Sequence, residues 1–474
     1  MTDLVGRPRL VVVGNGMASV RLVEELVRHG AEYDITVVGD EPHPAYNRIL
    51  LSAVLEGCHP RNELPLRRRR WYDHHGIRLV TGRRVLRIDR EAQTVLVAGG
   101  ELLEYDRLVL ATGSVPALPP IRGLVDPDGE LNQRVHAYRS LADNDRLSAA
   151  LPGVRRAVVV GGGLLGLQVA RALGVRGIQV DLVEAAPHLM AAHIGEAAGR
   201  VLRRSVEALG CAVYPEVRAV RLGAEGLRLD TGFVLDTDIV VLAAGGRPAT
   251  ALAKDCGLFV RRGVVVDQTL TSITDQRVHA IGDCAEFRGR TTGFVSPAWE
   301  QARLLAARLS GSNEEYSGSR VVARLRAAGL EVAVLGDPER TAGQVVEMVN
   351  PVRASYRKLV VRDGVIEGAV LLGDLSRIGL LTQLYDRRTV LGGQEPGQLL
   401  LGERPPGEGS VALPDDAEVC ACAGVTAGRI RSCASLADVV ASTRATTGCG
   451  GCAATVRTLL ASRPGTPTAT PSGV

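Results

Sequence analysis

Gly161-Gly162-Gly163-Leu164-Leu165-Gly166 stands between a short apolar run, Arg156–Val160, and a stretch with helical spacing from Leu164 to Leu173. A second apolar run follows and closes on Glu184. Strand, glycine loop, helix, strand and terminal carboxylate form the complete fingerprint of a dinucleotide-binding βαβ unit. Gly161 permits the tight turn, and Gly163 lets the backbone approach a pyrophosphate whose charge the helix N-terminus stabilises. Leu165 lies in the first helical turn, and Gly166 allows the helix to pack closely on the strand. Glu184 stands where a carboxylate accepts from a ribose 2′-hydroxyl and repels a 2′-phosphate, and Ala185, Ala186 and Pro187 offer no arginine to hold that phosphate. NADH is therefore expected over NADPH.

The same pattern occurs once before. Arg9–Val13 reads as a strand, Met17 to His29 as a helix with Val20, Val23, Leu26 and Val27 on one face, and Asp34–Val38 as the next strand. Between the first two lies Gly14-Asn15-Gly16-Met17-Ala18-Ser19, with Ser19 in the place of the third glycine, and Asp40 and Glu41 follow the second strand at the ribose position. The chain holds a duplicated βαβ unit rather than a short-period repeat.

Composition agrees. The 474 residues exceed one ordinary core, so two to four domains are expected. A hydrophobic share of 46% with 55 glycines and only 3% aromatics suits parallel sheets covered on both faces. The formal charge of +4 implies no nucleic-acid partner. No run approaches the roughly 18 apolar residues of a membrane span, and Met1–Arg9 lacks the pattern of a signal peptide. Of nine cysteines, Cys58, Cys211, Cys256, Cys284 and Cys433 are scattered, which points to a reducing, cytoplasmic setting rather than a disulfide framework. Cys58 is expected to be a small buried hydrophobe. Arg67–Arg70 reads as a solvated helix face, with a docking patch for an acidic partner as the alternative.

Beyond about Ser319 the pattern changes to alternating strands at Glu331–Leu335, Gln344–Met348, Tyr356–Val361 and Val365–Leu372. Gly402–Ala417, dense in Pro, Gly and acids, reads as a flexible linker, and the Pro/Thr/Gly-rich tail from Arg463 as disordered. Between them lie Cys420-Ala-Cys422 and Cys449-Gly-Gly-Cys452. Two close thiolate pairs suit tetrahedral zinc or a [2Fe–2S] cluster on spacing alone.

Three further boxes, Ala111-Thr112-Gly113-Ser114, Ala244-Gly245-Gly246-Arg247-Pro248 and Ile281-Gly282-Asp283-Cys284, make the chain resemble the pyridine-nucleotide disulfide oxidoreductase superfamily. The resemblance implies an α/β protein with two Rossmann-like dinucleotide-binding domains, one for FAD and one for NAD. It implies that Gly14, Asn15, Gly16, Asp40, Glu41, Thr112, Gly113 and Asp283 hold FAD, with Asp283 on the ribityl chain. Arg48, in Tyr46-Asn47-Arg48, would lie beside the flavin, and Val295, in Phe294-Val295-Ser296-Pro297, would open a helix aimed at the flavin's pyrimidine end. Gly161, Gly163, Leu165, Gly166, Glu184 and Gly245 would serve the nicotinamide nucleotide. Where related ferredoxin and rubredoxin reductases carry a lysine and a glutamate, this chain has Ala53 and Gln168, two departures that agree because a buried glutamate without its cation is costly.

The last module resembles the bacterioferritin-associated ferredoxin-like [2Fe–2S] domain, which implies Cys420, Cys422, Cys449 and Cys452 as ligands and leaves Cys433 outside the set. The expected division is 1–118 and 246–318 for FAD, 119–245 for NAD(P)H, 319–400 for a small α+β interface domain, 401–417 for the linker, 418–462 for the [2Fe–2S] domain and 463–474 for the tail. As a whole the chain is similar to the N-terminal part of NADH-dependent assimilatory nitrite reductase large subunits and to assimilatory nitrate reductase electron-transfer subunits. No second set of four cysteines remains for a sirohaem-linked cluster. The implied role is electron transfer from NADH through FAD and [2Fe–2S] to a separate nitrate-reducing molybdenum subunit, with no catalytic acid or base required. The alternatives are a sirohaem nitrite reductase subunit or a ferredoxin- or rubredoxin-type protein as acceptor, and a non-catalytic redox sensor.

Overall fold

The computed structural model describes residues 7–327, 330–393, 395–401, 413–420, 424–443, 445–446 and 452–461. Cys422, Cys449, most of the expected linker and the expected tail lie outside these. The chain divides into two compact units, residues 1–189 with 209–321 and residues 190–208 with 322–474.

The first unit contains two parallel five-stranded sheets. In one, Arg9–Val13 lies between Asp34–Val38 and Arg107–Leu110, with Arg78–Val80 and Val278–Ala280 at the edges. In the other, Arg156–Val160 lies between Gln179–Val183 and Ile239–Leu242, with Cys211–Tyr214 and Val135–Ala137 at the edges. Central strands are buried almost throughout, as apolar strands covered on both faces must be.

Helices α1 (Met17–Arg28), α2 (Leu51–Glu56), α3 (Arg69–His74), α4 (Leu141–Ala150) and α5 (Leu164–Val175) belong to this unit. Between α5 and α7 (Ala251–Asp255) the chain forms α6 (Glu196–Ala208), which belongs to the second unit. The last helix here is α8 (Val295–Leu309). A short antiparallel ribbon, Ser114–Pro116 with Gly246–Pro248, links the chain segments that leave the two parallel sheets.

In the second unit an antiparallel sheet runs in the order Val322–Ala327, Leu330–Gly336, Val365–Leu372, Ser355–Arg362, Gln344–Asn350. It carries α9 (Ile378–Asp386) against Val365–Leu372, and α6 lies against the two strands Ser355–Arg362 and Val365–Leu372. The first strand of this sheet is an addition to the four expected. The cysteine module adds α10 (Ala427–Arg431), α11 (Leu436–Thr443) and α12 (Ala453–Ala461), closed around Cys420, Ile430, Cys433, Val439, Cys452 and Val456. Residues 413–417, expected as linker, are held in place: Ala417 is buried, Arg387 donates to the carbonyl of Asp416 at 3.1 Å, and Arg431 pairs with Asp415.

Candidate functional site

The glycine loops and the loops carrying Asp40, Thr112, Asp283, Glu184 and Gly245 leave the C-terminal edges of the two parallel sheets, where such sheets bind ligands. In the first sheet Gly14 follows Val13, Asp40 follows Val38 by two residues, Thr112 follows Leu110 and Asp283 follows Ala280. In the second, Gly161 follows Val160, Glu184 follows Val183 and Gly245 follows Leu242.

The two glycine loops are geometric copies. Gly14 has φ +105°, and a Cβ there would lie 2.2 Å from the carbonyl oxygen of Ala111. Gly161 has φ +115°, and its Cβ would lie 2.5 Å from that of Ala243. No other residue fits either place. Gly16 and Gly163 cap α1 and α5, and among the described residues nothing lies within 4 Å of a Cβ added at either. Neither helix has an acidic residue in its first turn. Two positive helix ends thus face open space, as phosphate cradles require.

The copies differ at the third glycine. A Cβ at Gly166 would lie 1.8 Å from the Gly161 carbonyl oxygen, whereas Ser19 is fully buried and its hydroxyl donates to the Gly16 carbonyl at 3.0 Å. Leu165 is half-buried in the first turn of α5.

Glu184 is pinned by two backbone amides, Gly162 at 2.6 Å and Ala186 at 2.7 Å. Its carboxylate therefore sits at the lip of the glycine loop. In the first half the acids behave differently. Asp40 is exposed, while Glu41 accepts from the Tyr46 hydroxyl at 2.7 Å and pairs with Arg48. Arg48 also lies over the Tyr46 ring, 4.9 Å from its centroid. Burial pushes the Tyr46 phenol up, so it stays a neutral donor to Glu41.

Arg139, which the sequence did not single out, ties this network together. It pairs with Asp283 at 2.7 Å, its Nε donates to the Ser114 carbonyl at 2.9 Å, and its own carbonyl accepts from Arg48 at 3.4 Å. The Ser114 hydroxyl donates to the same Asp283 oxygen at 2.7 Å. Arg48, Glu41 and Asp283 are thereby brought together. The one sequence signal was the capping box Ser140–Asp143, which fixes the turn and accepts from the Arg139 amide at 3.0 Å.

Thr112 donates to the Ala249 carbonyl at 2.7 Å, and Gly113 and Gly245 both have positive φ beside open space. Gln301 on α8 accepts from the Gly282 amide at 2.8 Å, and Gly282 packs between Ala18 and Ala298. This sets Val295, the first residue of α8, in the same group of loops as Asp283. The Asn15 amide nitrogen donates to the His43 carbonyl at 2.9 Å, but its oxygen is buried with no partner among the described residues. The open glycine cradles and this orphaned oxygen fit a bound FAD.

One of two surface expectations fails. Cys58 is exposed, because Gly57 ends α2 in the left-handed conformation with φ +86° and turns the chain outward. The run Arg67–Arg70 is largely solvated, as expected: Arg68, Arg69 and Arg70 are exposed, while Arg67 is half-buried and pairs with Glu24 at 2.6 Å, and Arg69 also donates to the Leu79 carbonyl at 3.2 Å.

In the cysteine module, Cys420 and Cys452 are buried in one apolar cluster, and the Thr446 amide donates to the Cys452 sulfur at 3.1 Å. An amide aimed at sulfur and burial from water suit a ligated thiolate. Cys433 instead bonds to the Arg429 carbonyl at 3.2 Å. Among the described residues no group of three or more metal-binding side chains forms, and no helix is long and apolar enough to cross a membrane.

Sequence comparison decides the family. The profile described as pyridine nucleotide-disulphide oxidoreductase matches residues 8–302. The chain belongs to the pyridine nucleotide-disulphide oxidoreductase family. The profile of the rubredoxin NAD+ reductase C-terminal domain matches residues 322–389 of this oxidoreductase, and that of the BFD-like [2Fe–2S] binding domain matches 418–462. FAD, a nicotinamide dinucleotide and a [2Fe–2S] cluster are the cofactors that go with these domains.

A nitrite reductase [NAD(P)H] of Bacillus subtilis is 36% identical over 96% of this chain and 58% of its own length. The assimilatory nitrate reductase electron transfer subunit of the same organism is 33% identical over 96% of this chain and 59% of its own. The chain thus spans somewhat over half the length of these curated relatives. A ferredoxin reductase from Rhodopseudomonas palustris has a similar structure, with a TM-score of 0.74 and 27% identity over 83% of this chain and 99% of that one.

Proposed function

We propose that this oxidoreductase takes electrons from NADH and delivers them, through FAD and its [2Fe–2S] module, to a separate nitrate-reducing molybdenum subunit in the cytoplasm. The reading rests chiefly on one combination: two dinucleotide cradles and a [2Fe–2S]-binding domain on one chain, with an exposed, solitary Cys58 where a redox cysteine pair would otherwise lie. The similarity to an assimilatory nitrate reductase electron transfer subunit supports the choice of acceptor.

Bound FAD would supply the conversion between a two-electron donor and a one-electron acceptor. The protein's own contribution is placement. Gly14, Asn15 and Gly16 with α1 would hold one pyrophosphate, and Gly161 and Gly163 with α5 the other. Asp283, oriented by its ion pair with Arg139, would accept from ribityl hydroxyls, and Thr112, Gly113 and Val295 would line the same site. Glu184 would accept from the adenosine ribose, and Leu165, Gly166 and Gly245 would shape the nicotinamide-nucleotide side. Cys420 and Cys452, with Cys422 and Cys449, would ligate the cluster. No side chain needs to move a proton in this scheme.

A nitrite-reducing subunit is the second reading, favoured by the 36% identity to a nitrite reductase. The purified chain, supplied with NADH, should drive nitrate reduction when mixed with a molybdenum catalytic subunit and give little nitrite reduction with a sirohaem subunit. The reverse preference would select the second reading. Failure to oxidise NADH with any acceptor, dyes included, would leave a redox sensor as the better account.

A further inference from the structure

Three ion pairs among the described residues join segments 7–118 and 246–318 to segment 119–245. Arg61–Asp145 is the most exposed, at 52% and 45%, and water screens it. Arg139–Asp283 belongs to the flavin-side network. The third, Arg171–Glu56, is the least exposed, at 11% and 15%, and lies at the packed contact between α5 and α2.

Its position is informative. Glu56 is the last residue of α2, whose N-terminal side continues from Arg48, and Arg171 lies on α5, whose N-terminus is capped by Gly163. Residues three apart share a helix face, so Ala53 and Gln168 precede the pair by one turn on the two helices. The charged contact is thus displaced toward the C-terminal ends, leaving neutral side chains nearer the two sites. Arg171 is eight residues beyond Gly163, about 12 Å along the helix, too far to touch a phosphate held there. At such low exposure, removing either partner leaves the other charge poorly solvated, and the two helices separate to hydrate it.

We propose that Glu56 and Arg171 form a positioning pair that fixes α5, and with it the Gly161–Gly163 loop, in register with α2 and the Arg48 segment. The pair sets the separation of the two dinucleotide sites without binding either ligand. This rests on the FAD and NADH reading above.

Because the pair acts on register, its loss should lower the rate of electron transfer between the sites far more than it weakens NADH binding. The test uses the full, FAD-loaded chain with Glu56→Gln, Arg171→Gln, both together, and the charge exchange Glu56→Arg with Arg171→Glu. Rapid anaerobic mixing with NADH reads the limiting rate of flavin bleaching and the half-saturating NADH concentration. Amide hydrogen exchange at Leu51–Glu56 and Leu164–Val175 reads the helix contact independently of activity.

Each neutral single variant should slow bleaching about ten- to a hundredfold, the size expected from a displacement near 1 Å. FAD content and half-saturation should hold, and both helices should exchange faster. The charge exchange should restore most of the rate and the protection. Unchanged bleaching and protection in the single variants would overturn the proposal, as would a rate loss that simply tracks lost FAD, or a charge exchange no better than the singles. Should one single variant fail to fold, the neutral double variant carries the same comparison. A wild-type flavin that NADH does not bleach would instead defeat the nucleotide reading, while hydrogen exchange would still judge the pair.

Discussion

At the scale of single residues, Glu184 is the proposed determinant of cofactor choice. Two backbone amides hold its carboxylate at the lip of the Gly161–Gly163 loop, so a 2′-phosphate would meet a fixed negative charge. NADH should therefore give a much higher kcat/KM than NADPH, and Glu184→Ala should narrow the ratio about tenfold or more, mainly by admitting NADPH. Equal use of both by the unaltered chain would remove the assignment. Thr446 makes a different case. It is β-branched yet has φ +73°, a conformation that favours glycine, and its amide donates to the Cys452 sulfur. Burial of Ala445, whose amide donates to the Thr443 hydroxyl at 3.1 Å, holds the turn in that strained form. Thr446→Gly keeps the amide and relieves roughly 0.5–1 kcal/mol, so iron should leave for a chelator two- to fivefold more slowly, on the order set by that energy; faster release would contradict it. His279 bears on pH. Burial, with a contribution from Arg107, pushes its pKa down to about 4 from an ordinary 6.5. The unfolded chain binds that proton more readily, so the stabilising contribution is complete above about pH 6.5 and is lost as pH falls through about 4. Denaturant unfolding between pH 7 and 4 should therefore lose on the order of 3 kcal/mol through this residue, and His279→Gln should flatten that slope. A slope identical in the variant would show that other groups carry it.

At the scale of elements, Gly166 tests the second βαβ unit. An added Cβ would strike the Gly161 carbonyl, and α5 would have to move away from its strand. Gly166→Ala should raise the KM for NADH about tenfold or more while FAD stays bound, because the FAD-side loops lie on the other parallel sheet; isothermal titration of NADH beside an FAD absorbance count would check both. An unaltered NADH affinity would mean that the helix can shift without cost. These units were legible because their signals are local. Arg156–Val160 is a strand with the bounds its apolar run implies, and the glycines that close each turn are adjacent in sequence. Val322–Ala327 is hard to read as a strand because Arg324 and Arg326 interrupt its apolar residues, although Ala323 and Leu325 are buried and Val322 packs on the core. Arg139 was invisible for a stronger reason: its partners Asp283 and Ser114 are 144 and 25 residues away, and no spacing brings them together before the sheets form. Cys58 is exposed because the Gly-Cys-His-Pro turn, not the apolarity of a lone thiol, decides its surroundings. Arg67–Arg70 hid two different roles, one residue on α1's Glu24 and another on the strand carbonyl of Leu79.

At the scale of the whole molecule, the chain joins a two-nucleotide flavoprotein to a one-electron module, and the account stands or falls on whether electrons cross from one to the other. Cys452 is the ligand candidate best placed to show this, since it is buried with Cys420 and lies remote in sequence from every FAD-side loop. Replacing it with Ser should remove most of the iron, which is about two atoms per chain for one cluster. FAD should remain, because the flavin-side residues belong to a separate compact unit with its own core. NADH oxidation with a small dye should then survive while delivery to the catalytic subunit collapses. The most direct measurement is anaerobic addition of NADH to the iron-loaded chain, followed by electron paramagnetic resonance of the reduced [2Fe–2S] centre and by flavin absorbance together. The flavin should bleach and close to one reduced cluster should appear per chain, with the Cys452→Ser protein giving the bleaching but no cluster signal. A bleached flavin beside a cluster that stays oxidised, or stoichiometric zinc in place of iron, would contradict it.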